Sequence, residues 1–326
     1  MAKQIRNIAI VGTGVIGASW AALYLARGFN VTATDPAPNA EANLRQYIDG
    51  AWKDLTVIGL SPNASRDHLQ FTSDMKKALS DADLVQENGP ERQEFKIKLF
   101  ADMDDATPED SIIASSSSGL TMSVMQSACK HPERCVIGHP FNPPHVVPLV
   151  EVVAGAKTSP QTVERAISFY ASIGKKPIHV RKEVVGHVAN RLQAALYREI
   201  VYLIEQGVLD VADSDVAVCW GPGLRWGVMG PSLLFHLGGG QGGIQHFMEH
   251  LSGPLSTWWK DLGKITEFSP EVTQAIIEGV KAEAGNRSTE ELGRERDAML
   301  LELLATRAKG DAAAQIAMEN GLARSA

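Results

Sequence analysis

The sequence has no apolar run near the ~20 residues that span a bilayer, so a membrane protein is not expected. Its opening residues, Met-Ala-Lys-Gln-Ile-Arg, lack the apolar core of a secretory signal and pass straight into a strand-like segment. A basic surplus is also missing. Thirty-one Lys and Arg stand against 38 Asp and Glu, a net charge of −7, which argues against a nucleic-acid binder. Cysteine is scarce and odd in number: Cys129, Cys135 and Cys219, with no CxxC pair. That excludes a disulfide framework and a zinc knuckle and points to reduced thiols in a cytoplasmic protein. Neither a repeat nor a low-complexity tract is found. What remains is 326 residues of ordinary globular composition, 44% hydrophobic and 21% charged, enough for about two domains.

Residues 5–11 are apolar and β-branched, a glycine cluster follows, and residues 15–27 then show helical spacing with Gly28 as a stop. Residues 29–35 read as a second strand. Strand, glycine turn, helix, strand is a βαβ unit, which implies a parallel sheet. Further strand-like runs lie at 83–87, 111–115, 135–139, 149–153 and 177–181, with helical stretches such as 159–173 between them. After about residue 183 the texture changes. A long amphipathic helix at 187–206 is followed by helical segments near 213–219, 231–237, 243–251, 270–283 and 288–308, with no convincing strand. The expected fold is an α/β Rossmann-like domain over 1–184 with a mostly parallel sheet, followed by an all-α domain over 185–326.

The glycine turn Gly12-Thr-Gly14-Val15-Ile16-Gly17 fits G-x-G-x-x-G, and Asp35 follows eighteen residues after it, at the end of the next strand. Each part has a mechanical reason. Gly12 permits the tight turn, Gly14 lets backbone approach a pyrophosphate, and Gly17 lets helix pack on strand. The helix N-terminus offers its unpaired N–H groups to the phosphates. Asp35 would accept from both adenosine ribose hydroxyls and repel a 2′-phosphate, so NAD is expected over NADP. The later cluster Gly238–Gly243 lacks the GK[ST] of a phosphate loop and reads as a connection between helices.

An NAD enzyme oxidising an alcohol needs a base for the hydroxyl proton, and histidine suits neutral pH. Of nine histidines, His139 stands out because it ends a strand, the end at which α/β sheets bind ligands. Glu151 lies twelve residues on, inside the apolar run 149–153. A carboxylate there wants a partner. A hairpin-like return through the proline-rich turn would bring it to His139, where it would orient the imidazole. The alternative is a Glu held only by backbone.

Several stretches together resemble the L-3-hydroxyacyl-CoA dehydrogenase family over nearly the whole chain. They are Gly12–Gly17, Glu91 with Lys96, Ser115–Leu120, Gly138-His-Pro-Phe-Asn-Pro143, Leu149-Val-Glu-Val152 and Gly186-His-Val-Ala-Asn-Arg191. The resemblance implies that His139 is the base and Glu151 its partner. It implies that Ser118 and Asn190 contact the substrate near the reacting carbon, that Asn142 shapes the same pocket, and that Glu91 and Lys96 touch the nicotinamide-side ribose. It also implies a homodimer formed through the helical domain.

Within that family the acyl-CoA enzymes typically carry a lysine-rich helical stretch for the CoA phosphates. The corresponding residues 40–70 hold only Arg45, Lys53 and Arg66. The phrases His139–Glu151, Gly223–Gly230 and Glu290–Asp297 are similar to the carnitine 3-dehydrogenase and λ-crystallin/L-gulonate 3-dehydrogenase branch, which acts on free 3-hydroxy acids. A free carboxylate calls for a cation, and Arg225 is the candidate because guanidinium binds carboxylate in bidentate fashion. Trp220, Trp226 and Phe235 fit either a quaternary-ammonium cage or core packing. The expected activity is NAD-dependent oxidation of a small free 3-hydroxy acid, of L-carnitine or L-gulonate type, with a CoA thioester as the alternative substrate. A rival from another class is His246-Phe-Met-Glu249-His250, which fits the inverted zinc-protease motif H-x-x-E-H. With no third ligand evident, no metal is expected, and a surface histidine pair is the plainer reading.

Overall fold

A computed structural model describes residues 4–323, with side chains described through residue 310. The chain divides into two compact units, one ending at Arg191 and one beginning at Leu192.

The first unit is built on eight strands: β1 (Asn7–Val11), β2 (Asn30–Thr34), β3 (Leu69–Phe71), β4 (Leu84–Glu87), β5 (Ile112–Ser115), β6 (Cys135–Pro140), β7 (Leu149–Ala154) and β8 (Lys176–Val180). They form one sheet in the order β3-β2-β1-β4-β5-β6-β7-β8. Every neighbouring pair is parallel except β6 with β7, which run antiparallel. The central strands β1, β4 and β5 are buried on both faces; their sequences are mainly apolar, with the polar Gln86, Glu87 and Ser115 also buried. Helices cover the sheet: α1 (Val15–Ala26), α2 (Ala40–Ile58), α3 (Met75–Leu79), α4 (Gln93–Ala106), α5 (Met122–Met125) and α6 (Pro160–Ser172). Helix α1 is buried along nearly its whole length, because its residues are apolar on every side. It carries Trp20 and Tyr24, both fully buried and stacked at 5.3 Å. Truncating such a core residue to alanine costs about 3–5 kcal/mol.

Helix α6 shows the local rules at work. Ser159 accepts from the Thr162 amide, Pro160 fills the first turn, and Gly174 follows the end with φ of 86°. Strand β3, only three residues long, lacks the alternation that would announce it, and pairing with β2 creates it.

The second unit is helical among the described residues. Helix α7 (Ala189–Glu205) leads into it, followed by α8 (Val211–Trp220), α9 (Pro222–Trp226), α10 (Pro231–Gly238), α11 (Gly243–Asp261), α12 (Pro270–Ala284) and α13 (Thr289–Ala323). The Gly238–Gly243 cluster is a tight connection between α10 and α11, containing a 3-10 turn. Helix α11 runs to Asp261, ten residues past the end expected at 251, and passes through Gly253-Pro254. Stacking of Phe247 on Phe235 at 4.6 Å anchors its first half.

Candidate active site

The strand order reverses between β1 and β4, so a crevice opens at their carboxyl ends. The loops leaving these two strands touch there. Gly12 has φ of 86°, and a Cβ on it would lie 2.9 Å from the Asn88 carbonyl carbon and oxygen. A Cβ on Gly17 would lie 1.9 Å from the Gly12 carbonyl oxygen. Both glycines are therefore demanded by the fold itself. Gly14 is different. It is the N-cap of α1 in extended conformation, and a Cβ there would meet nothing within 4 Å. Nothing in the protein needs that space, which fits backbone left clear for a pyrophosphate at a helix N-terminus. Val15 beside it is 58% exposed, and Ile16 is half-buried.

Asp35 follows β2. One carboxylate oxygen accepts from the Thr13 amide at 2.7 Å and the Thr13 hydroxyl at 3.2 Å, and the other accepts from the Ala37 amide at 2.8 Å. The carboxylate is thereby held against the glycine turn, with acceptor capacity remaining for a ribose.

The antiparallel pairing of β6 and β7 places His139 directly opposite Glu151. His139 Nδ1 lies 2.8 Å from Glu151 Oε2, and both side chains are buried. The other oxygen, Oε1, accepts from the Val188 and Ala189 amides at 2.8 and 2.9 Å. Burial by itself would raise the Glu151 pKa. The bonds from His139, Ala189 and Val188, together with the electrostatic influence of His139, outweigh it and hold the carboxyl below its ordinary range. An ionised carboxylate only accepts, so His139 carries its hydrogen on Nδ1 and presents a basic Nε2. The loop between these strands is held by the buried Lys175 ammonium, which donates to the Pro144 and Val147 carbonyls and lies 5.0 Å from the Trp20 ring centroid.

Glu91, Lys96, Ser118 and Asn190 gather around the loop after β5. Glu91 Oε1 accepts from the Ser117 hydroxyl at 2.6 Å and from the amides of Ser118, Gly119 and Leu120 at 3.1, 2.9 and 3.3 Å. Burial opposes this charge, but those bonds and Lys96 win and lower the Glu91 pKa. Lys96 is 1% exposed. Its ammonium makes two 2.8 Å bonds to the buried Glu87 and lies 3.6 Å from Glu91. Ser118 is exposed, and its carbonyl lies 3.5 Å from the half-buried Asn190 amide nitrogen. Asn142 is exposed in the β6–β7 turn.

Sequence reasoning missed two members of this cluster. Glu87 anchors Lys96 and also accepts from the Ser115 hydroxyl at 2.6 Å. A carboxylate at the carboxyl end of a strand was the available signal. His187 is buried, with its ring centroid 5.3 Å from that of His139. Its signal was its place inside Gly186–Arg191.

In the second unit, Arg225 is exposed on α9. Trp220 and Trp226 are exposed and not core, and Phe235 stacks on Phe247. His246, Glu249 and His250 share one exposed face of α11, with a potential ligand atom from each within 4.8 Å of the others.

A glycine turn at the switch point of a parallel sheet, an acidic residue at the next strand end and a His–Glu pair define a dinucleotide-dependent dehydrogenase. Comparison with known proteins gives the family. The 3-hydroxyacyl-CoA dehydrogenase NAD-binding domain matches residues 7–184, and the C-terminal domain of that family matches 186–278. The chain belongs to the 3-hydroxyacyl-CoA dehydrogenase family and is an NAD-dependent hydroxy acid dehydrogenase. That decides against the metallopeptidase alternative as its activity. The chain is 44% identical to an L-carnitine dehydrogenase of Bacillus cereus over 93% of its length and 92% of the relative's. It is 46% identical to an L-carnitine dehydrogenase of Streptomyces griseus over 93% and 90%. Among solved structures it is similar to 5-formyl-3-hydroxy-2-methylpyridine 4-carboxylic acid 5-dehydrogenase, an NAD+-dependent dismutase. That match has a TM-score of 0.81 and 34% identity, covering 93% of this chain and 99% of the other.

Proposed function

We propose that the protein oxidises the 3-hydroxyl of L-carnitine to the 3-keto acid. The observation that carries the chemistry is the buried 2.8 Å contact of His139 Nδ1 with Glu151, which leaves Nε2 basic. The substrate follows the named relatives, and the charge pattern supports a free acid over a CoA thioester. Arg45 pairs with Glu41 at 2.8 Å and Arg66 with Asp49, so two of the three cations in 40–70 are already engaged. A phosphate-rich ligand would want them free.

In this reading His139 Nε2 takes the hydroxyl proton. Glu151 fixes the imidazole tautomer and stabilises the imidazolium as it forms. The Ser118 hydroxyl and the Asn190 amide hydrogen-bond the substrate oxygen as its charge changes, and Asn142 shapes the pocket. The exposed Arg225 is the candidate partner for the substrate carboxylate. NAD, when bound, supplies the acceptor for the hydrogen leaving C3. Gly12, Gly14, Val15, Ile16 and Gly17 would receive its pyrophosphate, Asp35 its adenosine ribose, and Glu91 with Lys96 would border its nicotinamide ribose. The same reading takes 1–184 as the NAD-binding domain and 185–326 as the helical domain, a boundary supported by the family matches at 7–184 and 186–278 and lying seven residues before the compact units divide after Arg191. A cytoplasmic homodimer is part of the same reading. Trp220, Trp258 and Trp259 are 75%, 63% and 63% exposed in the helical unit, large apolar side chains that burial against a second copy would cover.

The test is NADH formation with L-carnitine, L-gulonate, free 3-hydroxybutyrate and 3-hydroxybutyryl-CoA. Turnover dominated by L-carnitine is expected. Turnover of the CoA thioester alone would overturn the reading.

A further inference from the structure

Against the His139–Glu151 pair lies a second imidazole that the reaction above does not use. His187 is 1% exposed and sits at φ of 49°, in the left-handed region that side chains with a Cβ rarely occupy. Its Nε2 lies 3.0 Å from the Ser117 carbonyl oxygen. A carbonyl only accepts, so Nε2 carries the hydrogen and Nδ1 holds the lone pair. That Nδ1 is buried and has no hydrogen-bond partner among the described residues. The titratable groups facing the ring are His139, Glu151 and Glu91. Burial, reinforced by His139, lowers the His187 pKa against the opposing pull of the Ser117 carbonyl and the two carboxylates, so the ring is neutral at neutral pH.

The turn that carries His187 also grips the rest of the site. The imidazole packs on His139 at 5.3 Å between centroids, tilted by 52°. The next two amides, of Val188 and Ala189, bind Glu151. The hydrogen bond to Ser117 reaches the residue immediately before Ser118.

We propose that His187 is a positioning residue that joins the Ser117–Ser118 loop to the His139–Glu151 pair. It acts through its Nε2–H bond and its ring contact. Because it is neutral, it adds no positive charge beside His139, which becomes cationic when it takes the substrate proton. A lysine or arginine would oppose that charge. A phenyl ring would fill the space but leave the Ser117 carbonyl without this donor. The proposal rests on the role assigned to His139.

The experiment compares His187→Asn with His187→Gln, with His139→Gln measured alongside. Asparagine tolerates the left-handed backbone, but its amide is too short to reach the Ser117 carbonyl. Glutamine reaches it and restores the donor. The readouts are kcat, KM for the hydroxy acid and NADH affinity by fluorescence titration. His187→Asn is expected to lower kcat at least about tenfold with NADH affinity within about twofold, and His187→Gln to recover most of the loss. Wild-type kcat in His187→Asn overturns the proposal. So does equal impairment of both variants together with lost NADH binding. If His187→Asn does not fold, His187→Phe decides, since it keeps the ring without the donor. The same kcat loss supports the proposal, and wild-type kcat refutes it. Wild-type turnover in His139→Gln would instead overturn the functional reading beneath it.

Discussion

Replacing Glu151 by glutamine changes almost no volume and yet reverses one hydrogen bond. The carboxylate now accepts from three N–H groups, the Val188 and Ala189 amides on Oε1 and His139 Nδ1 on Oε2. An amide offers one oxygen and one NH2. If the oxygen keeps the two backbone donors, the NH2 faces His139 Nδ1. That nitrogen must then accept, and the ring's hydrogen moves to Nε2. The base is lost although the ring has not moved. If the amide turns the other way, the NH2 confronts two buried backbone donors, which costs more. The first arrangement is therefore the expected one. A wrong tautomer at a His–carboxylate pair costs up to about 10^4-fold, and general-base catalysis contributes about 10^2 to 10^4-fold. A fall in kcat of that size is expected, roughly 2.7–5.4 kcal/mol of barrier. The assay is steady-state NADH formation, with NADH affinity and thermal stability followed on the same preparation. NADH affinity should stay close to wild type, because Glu151 lies away from the glycine turn in the sheet order. A Glu151→Gln enzyme within threefold of wild-type kcat would refute the tautomer argument.

Gly14→Ala should leave thermal stability unchanged, since a Cβ there meets nothing, and weaken NADH binding at least about tenfold by occupying the pyrophosphate's approach. Unchanged NADH affinity would move the phosphate site elsewhere. Asp35→Ala should narrow the preference for NAD over NADP about tenfold or more, measured as the ratio of kcat/KM values for the two cofactors. Acid should destabilise the fold by a definite route. Glu91, Asp104 and Glu151 all have lowered pKa values. The unfolded chain therefore binds more protons, and stability present above the ordinary carboxylate range is lost as pH falls through the lower folded values. At Asp104, burial is outweighed by the His131 amide, Arg134 and the Lys130 amide. Melting temperatures of Asp104→Asn should accordingly depend less steeply on acid pH than those of the wild type.

Much of this was legible in the sequence, where local chemistry decided the outcome. Strands β1 and β2 with α1 between them followed from apolar periodicity and the glycine turn. Ser159, Pro160 and Gly174 bounded α6 because caps act within one turn of chain. His139 and Glu151 were legible as partners because a tight antiparallel return brings residues twelve apart into register. By contrast, β3 exists only through pairing with β2, and α11 continues through Pro254 against the local propensity of the proline. The helix expected from 187 begins at Ala189 instead, because the amides of Val188 and Ala189 bind Glu151.

The sequence alone thus determined the fold class, the cofactor and the pairing of His139 with Glu151. Each depends on residue types at short, fixed spacings, where few conformations compete. Tertiary structure alone decided which groups are already spoken for. Glu91 caps the Ser118–Leu120 amides, Lys96 is neutralised by Glu87, and His187 comes against His139 across 48 residues of chain. Those contacts depend on sheet order and on burial, which turn a solvated charge into one that must find a partner, and no local pattern encodes either.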